Sequence, residues 1–271
     1  MNSKGRISKI CQLQWSCPDS LAAVSQTMCG WLNSAQVNGL KQAGFRVVVF
    51  NPRGVGVPQK TTNLFDYSLI LSDLQDFMSN IYSKYPESNV YFTGISLGAS
   101  IGVKYLGAYK DHSRVKGMVS IANPFDVYKA AASANSWQNI IYGQFLTQKL
   151  YEKVEFNKQA IEEFAKEKNI EIDYDSIKKS WTTFEFDRKF TFKIVDQHND
   201  SAIYYQLFSC QNDVENVDVP VLFIHSKNDP ISRTDFIPWD VIKKKPNFFT
   251  VLTPKGAHVE FFVGPKAERV S

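Results

Sequence analysis

Val90-Tyr91-Phe92-Thr93-Gly94-Ile95-Ser96-Leu97-Gly98-Ala99 is the stretch on which the fold of this chain turns. Val90-Tyr91-Phe92-Thr93 is a β-rich run, and residues 99–106 resume a helical pattern, so the five residues from Gly94 to Gly98 join a strand to a helix. A G-x-S-x-G sequence in that setting is the pattern of a nucleophile elbow, where a strained backbone lifts a serine hydroxyl above the end of a sheet. Positions two before and two after the serine approach so closely that glycine is favoured. An idle serine in a glycine-flanked turn has the same letters; the strand before and the helix after favour the reactive reading.

The same alternation continues on both sides. Upstream, Arg46-Val47-Val48-Val49-Phe50 is a β-branched run stopped by Asn51-Pro52-Arg53-Gly54, the signature of a strand buried on both faces. Ile70, Leu74, Phe77, Met78 and Ile81 form one helical stripe, ended by Pro86. Downstream, residues 115–121, 219–225 and 248–252 read as further strands. Strands alternating with helices imply an α/β fold with a mostly parallel sheet flanked by helices. Between about 123 and 218 the pattern becomes helical and charged, as in 140–153 and 158–168, which predicts a helical lid inserted into one domain spanning 41–271. Residues 1–40 show neither a strand-length apolar run nor a clean helical stripe, and they stay unassigned.

A serine hydroxyl is a weak nucleophile at neutral pH and needs a base, usually histidine, oriented by an acid. The chain has four histidines. His258 follows the last strand through Thr253-Pro254-Lys255-Gly256-Ala257, which puts it at the carboxyl edge of the sheet with the serine. His112 and His198 lie in polar stretches, and His225 closes a strand, where a satisfied structural histidine is the ordinary outcome. Asp229 follows the 219–225 strand at the same edge and falls between serine and histidine in the order Ser, Asp, His. An aspartate before Pro230 is also a common turn residue; Asp213 and Asp218 are rivals that precede the strand and belong to the opposite edge. The Leu97 N–H, at the start of the helix, is one expected donor to an oxyanion. The second normally comes from a loop after an early strand, for which Cys29-Gly30 is the one candidate.

These residues together resemble the lipid-directed branch of the α/β-hydrolases, the group with the mammalian abhydrolase-domain phospholipases and the yeast medium-chain ethyl ester synthase/esterases. The resemblance runs over residues 44–264. It is carried by Gly44-Phe45-Arg46-Val47-Val48-Val49-Phe50-Asn51-Pro52-Arg53-Gly54, the elbow, Phe186-Asp187-Arg188-Lys189-Phe190-Thr191, Val219-Pro220-Val221-Leu222, the Asp229 loop and Gly256-Ala257-His258. It implies a nucleophile at Ser96, an acid at Asp229, a base at His258, and hydrolysis or transfer of acyl groups from medium-chain esters or lipids. This chain departs from the family by lacking the proline-glycine-leucine-threonine-glycine type loop ahead of Gly44 and by stopping at Ser271, from which an early strand and a closing C-terminal helix are expected to be missing. A truncated, catalytically impaired homologue acting as a binding protein is the alternative, and a thioester or peptide bond is a third target.

Composition narrows the partners. With 44% hydrophobic and 21% charged residues the chain is an ordinary globular protein, and no apolar stretch reaches the roughly 18 residues of a membrane span. The net charge of +4 is scattered, so nucleic acid is not an expected partner. Cys11, Cys17, Cys29 and Cys210 lack zinc-site spacing, and neither metal nor cofactor is expected. The expected partner is a small acyl ester or lipid, with membrane-surface association and a monomeric chain, soluble as written. Trp137, Tyr142, Phe145, Trp181 and Phe184 are the aromatic residues that suit an acyl pocket.

Overall fold

The computed structural model describes residues 20–25, 30–55, 69–195, 201–259, 262–263 and 268–269. Six parallel strands form its sheet: Ser20–Ser25 (β1), Arg46–Phe50 (β2), Asn89–Ile95 (β3), Val115–Ile121 (β4), Val221–Ser226 (β5) and Phe248–Thr253 (β6), in the order β2-β1-β3-β4-β5-β6. Five of them lie where the hydrophobic runs predict. Phe262–Val263 (β7) and Glu268–Arg269 (β8) make a small antiparallel pair after His258.

The strand β1 corrects the expectation that an early strand is missing. It pairs with β2 from Leu21↔Arg46 to Ser25↔Phe50 and with β3 from Ser20↔Asn89 to Ser25↔Gly94. Its residues Leu21, Ala22, Ala23 and Val24 are all buried. Alanine has low β propensity and only Val24 is β-branched, so the segment carries little local signal. Hydrogen bonding on both edges and cover on both faces hold it extended. Gly30–Gln42 (α1) follows, and its Val37 packs with Val24 and Val47. Two elements of the fold therefore begin within the first forty residues.

Helix Ile70–Lys84 (α2) buries the predicted stripe, with Phe77 against Phe50 at a ring separation of 5.2 Å. Its last turn closes with the Tyr85 N–H on the Ile81 carbonyl, directly before Pro86. Leu97–Tyr109 (α3) lies close on the sheet: a Cβ at Gly102 would sit 2.5 Å from the Phe92 ring and 2.7 Å from Met118. These two helices and the sheet enclose the main core, which contains Leu21, Leu74, Met78, Ile101 and Phe223.

Between β4 and β5 the described residues are helical, with Val127–Ala134 (α4), Ile140–Phe156 (α5), Lys158–Lys168 (α6), Tyr174–Lys178 (α7), Thr183–Phe186 (α8), a π-helical turn at Asp187–Thr191, Phe192–Ile194 (α9) and Ser201–Gln206 (α10). This segment has its own apolar cluster around Val154, Ile161, Ile177, Phe186 and Phe190. Its two ends are tied to each other and to α3. The Cys210 N–H donates to the Phe125 carbonyl (2.8 Å), the Val127 N–H to Ser209 Oγ (2.9 Å), and Ser100 Oγ to the Phe208 carbonyl (2.6 Å). Trp239–Ile242 (α11) precedes β6.

Candidate active site

Ser96 stands between β3 and α3 at φ 54°, ψ −125°, a conformation that costs an L-residue roughly 1–3 kcal/mol and persists only where the surroundings enforce it. The Ser96 N–H donates to the Ile121 carbonyl of β4 (2.8 Å), and the Ser96 carbonyl accepts from Ala99 and Ser100. Gly94 is required by space: a Cβ there would lie 2.5 Å from the Gly98 carbonyl oxygen and 2.7 Å from Ala99 Cα. Substituting alanine at 94 would push the helix off the strand and swing the serine away. Leu97 opens α3, so its N–H has no acceptor within the helix.

Two further parallel strands, β5 and β6, deliver the other groups to the same edge. Asp229 follows β5 and is buried, and its Oδ1 accepts from the Ile231 N–H (2.8 Å) and the Ser232 N–H (2.9 Å). Ser232 Oγ in turn donates to the Ala122 carbonyl beyond β4 (2.8 Å). His258, in the loop after β6, places Nδ1 2.9 Å from Asp229 Oδ2 and 3.2 Å from Oδ1. Its Nε2 lies 2.8 Å from Ser96 Oγ. With a proton on Nδ1, the imidazole donates to Asp229 and accepts the serine hydroxyl, the tautomer that these two contacts select.

Asn228, absent from the sequence-based site, fixes the distance between two of these groups. Its Oδ1 accepts from the Gly256 N–H (3.0 Å), the Ala257 N–H (3.1 Å) and Ser226 Oγ (2.5 Å), which joins the Asp229 loop to the His258 loop. The signal was its place next to Asp229, where an asparagine side chain can bind backbone in a turn. The rival acids have other tasks: Asp213 pairs with Lys104 (3.1 Å) and Asp218 with Lys245 (3.3 Å).

His225 departs from expectation. It is fully buried against the Phe125 ring at 5.6 Å, yet neither of its ring nitrogens has a hydrogen-bond partner among the described residues. Burial pushes its imidazole down to about 4, with His258 adding to that and Asp229 opposing it, so it is neutral at physiological pH. His198 lies outside the described residues, as does Cys29 of the candidate oxyanion loop. Ser25 pairs with Gly94, so the chain leaves β1 beside the elbow and re-enters described structure at Gly30, the first residue of α1.

The aromatic residues divide differently from the sequence expectation. Trp137, Tyr142, Phe145 and Trp181 are exposed, and Phe184 alone of the five joins a buried group. That group comprises Val127, Tyr204, Tyr205 and Phe208, with Leu97, Phe184 and Phe192 packed on it. Leu97, the residue after Ser96, thus packs both against this group and against the main core. Tyr205 of this group donates to the buried Asp187 at 2.5 Å and Thr191 does so at 2.6 Å. Burial pushes the Asp187 carboxyl up to about 6, and the two hydroxyl bonds pull against that. The Arg53 guanidinium pairs with Asp73 on α2, with Nε 2.7 Å from Oδ2, and Asn157 at the end of α5 donates to the Gly54 carbonyl (3.0 Å). The segment Asn51-Pro52-Arg53-Gly54 thus anchors one end of α5.

Comparison with known proteins agrees with this architecture. Residues 25–265 match the family described as alpha/beta hydrolase fold. Among curated proteins, Embryogenesis-associated protein EMB8 of Picea glauca is 30% identical over 84% of this chain and 49% of its own length. Monoacylglycerol lipase of Saccharomyces cerevisiae is 30% identical over 80% and 48%, and Phospholipase ABHD3 of Bos taurus 27% identical over 83% and 53%. The chain spans about half the length of these relatives. An esterase of Pyrococcus furiosus shares the fold at a TM-score of 0.52, with 16% identity over 88% of this chain and 74% of that one. The sheet order, the elbow and these matches make the chain a member of the α/β-hydrolase family.

Proposed function

We propose that this chain is a serine ester hydrolase for lipid-like or medium-chain acyl esters, with Ser96 as nucleophile, His258 as general base and Asp229 as the acid that orients it. The observation that carries this reading is the continuous contact from Asp229 through His258 to Ser96, at 2.9 and 2.8 Å, between residues that three separate strands supply. His258 Nε2 takes the proton as Ser96 Oγ attacks the acyl carbonyl carbon. The oxyanion that forms is met by the Leu97 N–H at the positive end of α3. Collapse of the tetrahedral intermediate breaks the bond to the alcohol, which leaves with the proton from His258. Water, deprotonated by the same imidazole, then releases the acid and restores Ser96; an alcohol in place of water gives a new ester.

The substrate class draws on two supports. Relatives covering most of this chain are named as a monoacylglycerol lipase and a phospholipase. The apolar wall of Val127, Tyr204, Tyr205 and Phe208 that adjoins Leu97 suits an acyl chain. The helices between β4 and β5 act as the lid that carries this wall. Against the reading of an impaired binding protein stands β1, which fills the sheet between β2 and β3.

Labelling with a fluorophosphonate probe tests the assignment. Wild-type protein should label, and Ser96→Ala and heat-denatured wild type should not. A cooperatively folded wild type that resists the probe would sink the proposal.

A further inference from the structure

The peptide unit that joins Pro230 to Ile231 is bonded on both of its sides. Its N–H donates to Asp229 Oδ1 (2.8 Å), and its carbonyl accepts from Ser133 Oγ (2.8 Å) and Asn139 Nδ2 (3.3 Å). The peptide is trans, so the two groups point in opposite directions from one rigid plane. Local sequence makes this plane the link. Proline has no N–H, so the first backbone donor past Asp229 is that of Ile231. Ile231 is buried against Ala130 and Ala134, which lie one turn apart on α4 and whose small side chains let the loop come close. Ser133 precedes Ala134 on that helix, and Asn139 ends the short helical turn Trp137–Asn139 that follows it. Asn139 also donates to the Ser133 carbonyl (3.1 Å); both of its partners are acceptors, so its amide nitrogen is the atom that faces the loop.

We propose that Ser133 and Asn139 are positioning residues: acting through the Pro230–Ile231 amide, they hold the Asp229 carboxylate in the orientation that serves His258. This rests on the proposed hydrolase reading of Ser96, His258 and Asp229. Hydrogen bonds to an amide carbonyl polarise the whole unit and make its N–H a stronger donor. Asp229 Oδ1 accepts from that N–H and from the Ser232 N–H (2.9 Å), while Oδ2 lies 2.9 Å from His258 Nδ1. The two N–H groups are anchored separately. Ser232 is fixed by its hydroxyl to the Ala122 carbonyl beyond β4 (2.8 Å), and the Ile231 amide is fixed by Ser133 and Asn139. A carboxylate held at one oxygen by two independently fixed donors has little freedom to turn, which keeps its other oxygen on the imidazole. With the Ser133 and Asn139 donors removed, the Pro230 carbonyl loses both bonds and the amide plane can rotate, leaving Ser232 as the one fixed donor.

Side chains that merely anchored α4 would affect stability alone. Rates of fluorophosphonate labelling and of ester hydrolysis, both per folded molecule, separate the two roles. Ser133→Ala/Asn139→Ala should label about tenfold more slowly and lose about tenfold in kcat, with KM within about twofold of wild type. Ser133→Thr/Asn139→Ala, which returns a hydroxyl to the carbonyl, should recover most of that rate. Asn135→Ala removes the bonds of Asn135 to the Thr183 N–H (3.2 Å) and Thr183 Oγ1 (2.8 Å) and leaves the Pro230 carbonyl alone. It should lower the melting temperature and keep the wild-type labelling rate. In an Asp229→Ala background the double substitution should slow labelling by no more than about twofold, because the group it acts through is gone. Wild type that does not label sinks the hydrolase reading and this inference with it. Wild type that labels beside a double variant of equal rate overturns the positioning role alone. So does an Asn135→Ala protein that slows as much as the double variant, or a loss of about tenfold that persists in the Asp229→Ala background.

Discussion

Two aspartates are buried to the same extent, each 4% exposed, and they are placed to do different things. Asp229 ends β5 and is met by two backbone N–H groups and an imidazole that reaches on to a serine. Asp187 lies among the helices between β4 and β5, and its bonds come from the hydroxyls of Thr191 and Tyr205. The first constellation runs on through His258 to Ser96, the proposed nucleophile. The second closes on itself and joins the π-helical turn to α10. Burial alone does not separate a chemical carboxyl from a structural one; the donors around it do.

The largest expected effect tests the first half of this comparison. Asp229→Ala leaves His258 without its orienting partner and should cut kcat/KM for ester hydrolysis by roughly 10³–10⁴-fold, measured on a variant shown to be folded. Asp187→Ala should do the reverse. It strands the Tyr205 and Thr191 hydroxyls in a dry interior and should lower the unfolding free energy by about 2–4 kcal/mol in urea titrations, with activity per folded molecule within a few-fold of wild type. An Asp187→Ala protein of unchanged stability and lost activity would break the contrast.

A smaller effect sharpens it through pH. The Asp187 carboxyl rises from 3.8 to about 6 on folding because burial disfavours its charge. Between those values the folded state holds a proton that the unfolded state has released, so stability falls as pH rises through the window and levels off above about 6. Two units at 1.36 kcal/mol each give a change on the order of 2–3 kcal/mol. Asp187→Asn should remove that slope, read as the difference in urea midpoint between wild type and variant at either end of the window.

How far the sequence disclosed all this differs by region for physical reasons. Ser96, Asp229 and His258 each follow a strand with a strong apolar run, so one rule about the carboxyl edge places them together, and hydrogen bonds join the three side chains there. The strand Ser20-Leu21-Ala22-Ala23-Val24-Ser25 stayed hidden because its extended state comes from neighbours on both edges, distant in sequence, and not from its own residues. The aromatic residues between β4 and β5 read as pocket-lining because hydrophobicity does not say which side of a segment meets the protein. Phe184 turned inward, and Trp137 and Trp181 outward. The orphaned nitrogens of His225 had no sequence signal at all, since a strand-end histidine ordinarily finds a partner.

The finest test concerns Asn228, which joins the loop of Asp229 to the loop of His258. Its single Oδ1 holds the Gly256 and Ala257 N–H groups, and Ala257, at φ 44°, is itself in a left-handed conformation that needs such support. Without that oxygen the His258 loop relaxes, and the imidazole loses the alignment that puts Nε2 2.8 Å from Ser96 Oγ. Asn228→Ala should therefore lower kcat by about tenfold with KM nearly unchanged, since the substrate wall around Tyr204 and Phe208 is untouched. Asn228→Asp retains the acceptor and should recover most of the rate, whereas a purely structural role would lower melting temperature in both variants and leave kcat per folded molecule intact. If kcat survives Asn228→Ala, the alignment of His258 comes from Asp229 alone, and the sheet edge needs only one anchor where two are drawn here.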